Sequence, residues 1–290
     1  MITLKFGGTS MESARRILSS ADIIISRAEA GRVSVVVSAV AGVSNKLQES
    51  IDACVKGMHA ENFVYELRKI HSDICEELQS KLPDLSAASV LKELAPIFEE
   101  YEKLLTGCVS FGECPGTVHC RIMGIGELLS APIMKAVLLA KGQSVILLDS
   151  RKFIFTTGNH REGDPDYAKC AEAMLPYRDG ENQSQTRILL FPGFICSWIR
   201  GTGCAPVPGL LGRNGSDFSA SIVAASLGSS KVEFWTDVDG IYTADPRVVK
   251  DAILVDDMSY EEALELAFFG SKVLHPKTIA PLAAKDIEAW

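Results

Sequence analysis

The predicted fold and site both depend on one stretch, Gly212-Arg213-Asn214-Gly215-Ser216-Asp217. Its glycines allow a tight turn and the close approach of a bound group. Residues 218–227 are apolar and alanine-rich, which predicts a helix that begins at this turn and ends at Gly228. The helix N-terminus offers unpaired N–H groups, and Arg213 adds a planar cation. The stretch therefore predicts an anion site, although an isolated glycine motif is more often an ordinary surface turn.

A second glycine turn lies near the start of the chain. The pattern predicts a strand, a turn, a helix and a second strand at residues 2–6, 7–8, 9–30 and 34–38. Thr9 and Glu12 have the spacing of a capping box at the start of the helix. Because ligands of open α/β sheets bind at the carboxyl ends of strands, Lys5, Gly7 and Gly8 are predicted to lie at a ligand. The alternative for Lys5 is a solvated lysine on an edge strand.

The remaining chain continues to alternate helices and strands. Residues 46–110 have the spacing of amphipathic helices and carry no predicted chemistry. Further predictions are strands at 144–149, 188–191 and 232–236, a loop opening at 156–158, a hairpin over 201–211, and helices starting at 122, at 259 with a capping box, and at 275. This order predicts an α/β fold, a three-layer αβα sandwich around a mainly parallel open sheet.

Composition excludes several classes of function. The chain has 290 residues, 47% of them hydrophobic, and a formal net charge of -8, which argues against general binding of nucleic acid or an anionic membrane. Neither an uninterrupted apolar run long enough to span a bilayer nor a leader-like segment was found, and the eight scattered cysteines read as reduced thiols. A cytoplasmic protein is expected.

Four ordered motifs resemble one family. They are Lys5-Phe6-Gly7-Gly8-Thr9-Ser10, then Gly212 to Asp217, then Val232-Glu233-Phe234-Trp235-Thr236-Asp237-Val238-Asp239-Gly240-Ile241-Tyr242 with Ala244-Asp245-Pro246-Arg247, and finally Phe269-Gly270-Ser271-Lys272-Val273-Leu274-His275-Pro276. Together they resemble the aspartokinases of the amino acid kinase family. The sequence around these motifs is most similar to the kinase half of bifunctional aspartokinase–homoserine dehydrogenases. The resemblance covers nearly the whole chain and implies transfer of the ATP γ-phosphoryl group to the β-carboxylate of L-aspartate, the first step toward lysine, threonine and methionine.

The resemblance also implies a role for each site residue. Lys5 would stabilise the transferring phosphoryl group, and Asp217 would orient lysines or magnesium-bound water. Arg213 would hold the α-carboxylate of aspartate and Glu127 its amino group. The implied amino-acid site is completed by Ser38, Ser44, Phe194, Asn214 and Ser216. The implied nucleotide site consists of Lys5, Gly7, Gly8, Thr236, Asp237, Tyr242, Arg247, Lys272 and Val273. Mg²⁺ is expected with ATP, without protein ligands assigned to it.

The resemblance further implies one kinase domain over residues 1–290. Residues 1–200 would form the amino-acid lobe, with a helical part at 46–110, and residues 201–290 the nucleotide lobe. Aspartokinases usually continue into effector-binding domains, which these residues do not include, so insensitivity to threonine and lysine is expected. Residues 287–290 are a poor match to the family's final strand, which predicts an unpaired sheet edge.

Two other functions remain open from the sequence. Another amino acid kinase, acting on glutamate or acetylglutamate, would share the fold and Lys5 but should lack the combined motifs around Arg213 and His275. A non-catalytic subunit of the same fold would be expected to have lost Lys5 or Asp217, and both are present. Whether the chain forms a homo-oligomer is also left open.

Overall fold

The computed structural model describes residues 1–178, 186–201, 203–238, 240–243, 248–268 and 275–290. The strands of these ranges are β1 (Ile2–Phe6), β2 (Val33–Val37), β3 (Val145–Leu147), β4 (Phe155–Asn159), β5 (Glu162–Pro165), β6 (Ile188–Pro192), β7 (Ile195–Trp198), β8 (Val207–Leu210), β9 (Lys231–Trp235) and β10 (Glu288–Ala289). The helices are α1 (Ala14–Ala30), α2 (Val43–Val55), α3 (Glu61–Lys81), α4 (Ala87–Phe111), α5 (Gly116–Met123), α6 (Ile125–Ala140), α7 (Tyr167–Arg178), α8 (Gly215–Leu227), α9 (Tyr260–Phe268) and α10 (Pro276–Ala283).

The larger sheet places β1 at its centre. Six strands pair in the order β10-β9-β1-β2-β6-β3, and every pairing is parallel. In this register Lys5 lies between Val36 of β2 and Phe234 of β9. Lys5 is therefore on an interior strand, and the edge-strand alternative is wrong.

Helices cover both faces of this sheet. Successive residues of β2 point to opposite faces, so Val35 and Val37 join one hydrophobic core while Val36 joins the other. Helices α1 and α6 pack on the first face, and α8 packs on the second, where it is covered by α7 and α10. Strands buried on both faces are predominantly apolar, as in β6 and, apart from Ser34, in β2. The predicted three-layer αβα sandwich is confirmed.

Helices α2, α3 and α4 pack against one another and confirm the predicted helical region. Tyr101 of α4 donates a hydrogen bond of 2.8 Å to the Ser50 hydroxyl of α2 within the buried interface. His71 of α3 is also buried, and burial lowers its pKa to about 4. His71 is thus a neutral packing residue.

The apolar helices α5 and α6 follow this region. By length and composition alone residues 116–140 could cross a membrane, but 72% of the most apolar window is buried inside the fold, as in the core helix of a soluble protein. The sequence predicted one helix from residue 122. The structure instead ends α5 at Met123 and starts α6 at Ile125, and α5 itself was not predicted.

A smaller sheet has the strand order β5-β4-β7-β8, and its strand β8 ends just before residues 212–217. The predicted loop at residues 156–158 is wrong, because these residues pair with β5 and form β4. The predicted hairpin over 201–211 is right only for its second strand, since β8 pairs with β7, which lies before residue 201. The division into two lobes near residue 200 stays a prediction.

Local signals at other element ends had mixed outcomes. The capping box at Thr9 and Glu12 is wrong: residues 8–11 form a separate 3-10 turn, and Ser13 caps α1 by accepting from the N–H of Arg16. The box at Ser259 and Glu262 is confirmed by both reciprocal hydrogen bonds. The unpaired sheet edge is also wrong, since residues 288–289 form β10 and pair with β9.

Candidate active site

Several of the predicted site residues within the described ranges follow strands that end at the carboxyl edge of the larger sheet. Three backbone hydrogen bonds join the strand ends: Gly7 N–H to Trp235 O at 3.3 Å, Ser38 N–H to Phe6 O at 3.1 Å, and Gly193 N–H to Val37 O at 2.8 Å. These bonds bring the segments after β1, β2, β6 and β9 to one edge. Ligands of open α/β folds bind at such an edge.

The central feature of this edge is an ion pair between Lys5 and Asp217. Lys5 Nζ lies 2.6 Å from Asp217 Oδ1, and the two side chains are only 11% and 15% exposed. Limited solvent strengthens the attraction between the two charges. A Cβ atom on Gly7 would lie 3.3 Å from Lys5 Nζ, so glycine at this position keeps the space beside the ammonium group open.

Helix α8 places Asp217 against Lys5. Asn214 caps this helix with a left-handed backbone (φ 56°), and its amide group lies 3.5 Å from Asp217 Oδ2. The helix starts at Gly215, so Ser216 and Asp217 occupy its first turn, where the macrodipole favours negative charge. The preceding Arg213 is exposed and makes no ion pair with any described residue. Its guanidinium group is therefore available to an external anion.

Glu127 is a buried carboxyl group at the same edge. It lies in the first turn of α6 and is 3% exposed. Burial raises its pKa from the ordinary 4.5 to about 8, against smaller lowering contributions from the backbone N–H groups of Ala39 and Glu127 and from the Ser216 hydroxyl. Oε2 of Glu127 has no hydrogen-bond partner in the described structure. A buried carboxyl oxygen without a partner is costly, and a bound cationic donor would satisfy it.

The segment after β6 packs on the start of α8. Phe194 has a positive φ of 65°, and its N–H donates to Ser219 Oγ at 2.9 Å. A Cβ on Gly193 would lie 2.7 Å from Ser216 Oγ, and one on Gly215 would lie 2.5 Å from the Phe194 ring. Both glycines are needed for this close packing. The half-buried Phe194 is thereby fixed beside Ser216.

The two predicted serines differ in their surroundings. Ser38 is half-buried directly after β2, and its carbonyl accepts a hydrogen bond of 2.7 Å from Ser130 Oγ. Ser44 is exposed in the first turn of α2. Gly8 supports the same corner, because a Cβ there would lie 3.3 Å from Ala39 O. The glycine turn after β1 therefore packs against the segment between β2 and α2, which begins with Ser38.

The predicted nucleotide residues are only partly described. Thr236 and Asp237 are exposed directly after β9, next to the Lys5 strand, and the Thr236 hydroxyl donates to Asp237 Oδ1 at 3.1 Å. Tyr242 pairs through its backbone with Leu254. Arg247, Lys272 and Val273 lie outside the described residues.

Two supporting residues were missed by sequence reasoning. Gly193 contacts Ser216, and Ser219 holds the Phe194 backbone while donating to Gly215 O at 2.9 Å. The glycine directly after an apolar strand was an available signal for the first contact. Nothing local to Ser219 indicates that it supports a residue of another segment.

Comparison with known proteins identifies the family of this chain. The profile of the amino acid kinase family matches residues 1–290. This chain belongs to the amino acid kinase family. The resemblance found in the four motifs is therefore confirmed at the level of the family, and the three-layer fold is the one that its members share.

Aspartokinases are among the similar members of the amino acid kinase family. The chain is 34% identical over 287 residues to the bifunctional aspartokinase/homoserine dehydrogenase of Buchnera aphidicola. This alignment covers 98% of the present chain and 34% of the Buchnera protein. It is 33% identical to lysine-sensitive aspartokinase 3 of Escherichia coli, with 100% of this chain and 61% of that protein covered. The chain thus spans about a third of the first relative and three fifths of the second.

A solved structure of an amino acid kinase gives the same result. The crystal structure of E. coli aspartokinase III in complex with aspartate and ADP superposes with a TM-score of 0.84 at 31% identity, covering 99% of this chain and 60% of that one. The likeness extends over the whole αβα sandwich.

Proposed function

We propose that this chain is an aspartate kinase, which transfers the ATP γ-phosphoryl group to the β-carboxylate of L-aspartate and forms 4-phospho-L-aspartate. The observation that carries the proposal is the pairing of two features at one sheet edge. One is the Lys5–Asp217 ion pair, and the other is the buried Glu127 with a carboxyl oxygen that lacks a partner. The first suits a transferring phosphoryl group and the second suits an ammonium group.

Lys5 is proposed to act mainly on the transition state. Phosphoryl transfer needs positioned cations along the moving group more than it needs covalent chemistry. The Lys5 ammonium is held at a fixed point by Asp217, so its charge requires little reorganisation when the reaction occurs. Asp217 is proposed to orient this lysine and water on the metal ion.

The amino acid is proposed to bind between α6 and α8. Glu127 would accept from the substrate ammonium group, and Arg213 would form a bidentate contact with the α-carboxylate. The remaining contacts are proposed for Ser38, Ser44, Phe194, Asn214 and Ser216. The β-carboxylate is already ionised at neutral pH, so it can attack the γ-phosphorus without a general base.

The nucleotide is proposed to lie beside β1 and β9. Gly7 and Gly8 would allow the phosphates to approach the backbone after Lys5. The other proposed contacts are Thr236, Asp237, Tyr242, Arg247, Lys272 and Val273. In this arrangement the γ-phosphoryl group faces the Lys5 ammonium from one side and the amino acid from the other.

Mg²⁺ is proposed to arrive with ATP. Mg²⁺ usually keeps several waters and binds one or two carboxylates together with substrate phosphates. The described residues contain no cluster of three or more His, Cys, Asp or Glu that could hold a metal ion alone, whereas Asp217 offers one carboxylate at the sheet edge. These residues fit a phosphate-bound ion, which would neutralise phosphate charge. The reaction would begin the synthesis of lysine, threonine and methionine, and the proposed compartment is the cytoplasm.

Trapping of the acyl phosphate with hydroxylamine tests the proposal. The purified chain is incubated with MgATP, hydroxylamine and one of four acceptors: L-aspartate, L-glutamate, N-acetyl-L-glutamate or N-acetyl-L-aspartate. We expect hydroxamate from L-aspartate only, because N-acetyl-L-aspartate keeps the reacting carboxylate but lacks the ammonium group that Glu127 would bind. Faster turnover of glutamate or N-acetyl-L-glutamate would instead support another amino acid kinase. Absence of hydroxamate with all four acceptors, alongside measurable ATP binding, would support a non-catalytic subunit.

A further inference from the structure

A cavity outside the candidate active site lies beside α2. Its volume is about 530 Å³, within the range of small-molecule sites. Its walls are one face of α2, the start of α5 and the turn that joins β4 to β5. The residues that line it include none of those predicted to bind the amino acid or the nucleotide.

Two cations from different elements line this cavity. Lys56 follows the last turn of α2, and Arg161 lies in the turn between β4 and β5. Both side chains are exposed, and neither forms an ion pair within the described ranges. Burial, and then the nearby Arg161 charge, lowers the pKa of His119 on the α5 wall. The guanidinium charge therefore acts on the cavity wall.

A hydrogen-bonded chain fixes the polar part of the wall. Gln48 Nε2 donates to Asp52 Oδ1 at 2.9 Å, and Gln48 Oε1 lies 2.9 Å from His119 Nε2. Because the amide oxygen can only accept, His119 Nε2 carries the hydrogen in this arrangement. Burial and the Arg161 charge lower the pKa of His119 and so disfavour its cationic form, and Asp52 is held in place as the one acidic group of the lining.

The charges of the lining give the cavity a net charge of +1, from two cations and one carboxylate. The whole chain has a formal net charge of -8, so a cavity of the opposite sign is a local feature of these residues. Unpaired cations that converge on a concave surface are suited to carboxylates and phosphates. The apolar floor, which includes Ile51 and Val55, is suited to a short carbon chain.

We propose that this cavity binds a small organic anion, whose carboxylate or phosphate group contacts Lys56 and Arg161. Asp52 repels a second negative group and accepts a hydrogen bond, so it favours ligands that also carry a donor such as a hydroxyl group. The site is independent of the proposed kinase activity. Binding would connect α2, which begins near Ser44, to the β4–β5 turn.

Calorimetric titration of the purified chain tests this site. The probes are inorganic phosphate, succinate and malate, where malate adds one hydroxyl group to the succinate skeleton. We expect saturable binding of at least one probe. If the ligand is a carboxylate, malate should bind more tightly than succinate. Phosphate binding without either dicarboxylate would assign the site to phosphate groups.

Matched variants locate the binding. Lys56→Ala and Arg161→Ala should each weaken binding at least tenfold, since each removes a charged hydrogen bond. Lys92→Ala, an exposed lysine of α4, should have no effect. Asp52→Asn should tighten the binding of succinate, because it removes the carboxylate that repels the second negative group of this ligand. Thermal unfolding of each variant verifies that these exposed substitutions leave the fold intact.

Arg213→Ala separates this cavity from the candidate active site. Binding that survives Arg213→Ala but is lost in Arg161→Ala supports the proposal. Binding that is lost in Arg213→Ala and unchanged in the Lys56→Ala/Arg161→Ala double variant would overturn it, as would the absence of saturable binding of all three probes at millimolar concentration.

Discussion

Replacement of Glu127 by glutamine tests the electrostatics of the candidate site most directly. The substitution keeps the size of the side chain and removes only its ionisation. In the folded chain burial raises the Glu127 pKa to about 8, whereas the unfolded chain should have the ordinary value of 4.5. The folded state therefore binds the proton more tightly than the unfolded state does.

The sign of the effect on stability follows from this difference. The contribution of the Glu127 proton to the free energy of unfolding is fully present below pH 4.5 and is lost as the pH rises through about 8. It is lost because the carboxyl group ionises at a lower pH in the unfolded chain than in the folded chain. Each pKa unit corresponds to about 1.4 kcal/mol, so between pH 5 and pH 8 the unfolding free energy of the parent chain should fall by about 3 to 4 kcal/mol relative to Glu127→Gln. This range is an upper bound when water enters the site.

Urea unfolding of both chains at pH 5, 6, 7 and 8 measures this difference. The unfolding free energy of the variant minus that of the parent chain should rise with pH over the whole interval. Parallel pH dependences would refute the reasoning, because they would show that Glu127 has the same pKa in both states.

The same substitution also tests the proposed ammonium site. Binding of an ammonium group to the protonated Glu127 should release close to one proton at pH 7, which calorimetry in buffers of different ionisation enthalpy detects. Glu127→Gln should release none and should raise the KM for L-aspartate roughly 10- to 100-fold, as expected for loss of a charged hydrogen bond of about 1.5–3 kcal/mol. Equal proton release by both chains would place the substrate ammonium group elsewhere.

Three further substitutions test neighbouring groups. Lys5→Ala should remove most of kcat while ATP binding remains measurable by calorimetry, because the Lys5 charge acts mainly on the transition state; intact kcat with a raised ATP KM would contradict this role. Arg213→Lys keeps the charge but loses the bidentate contact, so it should weaken the binding of L-aspartate by roughly 1–3 kcal/mol. Steady-state kinetics should show this as a raised KM for L-aspartate with an unchanged KM for ATP. Gly215→Ala would place a Cβ 2.5 Å from the Phe194 ring, and it should lower the unfolding free energy by about 1–3 kcal/mol in urea titrations; an unchanged midpoint would show that the ring moves aside freely.

Much of the fold could be predicted from short-range signals. Apolar runs bounded by glycine identified β1, β2, β6 and β9, and helical spacing identified the region of α2 to α4. The capping box at Ser259 was right because both of its hydrogen bonds lie within four residues of each other. The box at Thr9 failed because residues 8–11 follow the glycine turn in a separate 3-10 helix, with Met11 fully buried.

The candidate site itself divides in the same way. The sequence predicted an anion site at residues 212–217 from a glycine turn, a cation and a helix start, and the structure confirms the helix start at Gly215. Only the tertiary structure decided that Asp217 lies 2.6 Å from Lys5, that Oε2 of Glu127 is buried without a partner, and that residues 156–158 form a strand. These outcomes depend on the strand order β10-β9-β1-β2-β6-β3 and on pairing between distant segments. Propensity and periodicity act between neighbours in sequence, whereas burial and ion pairing act between neighbours in space.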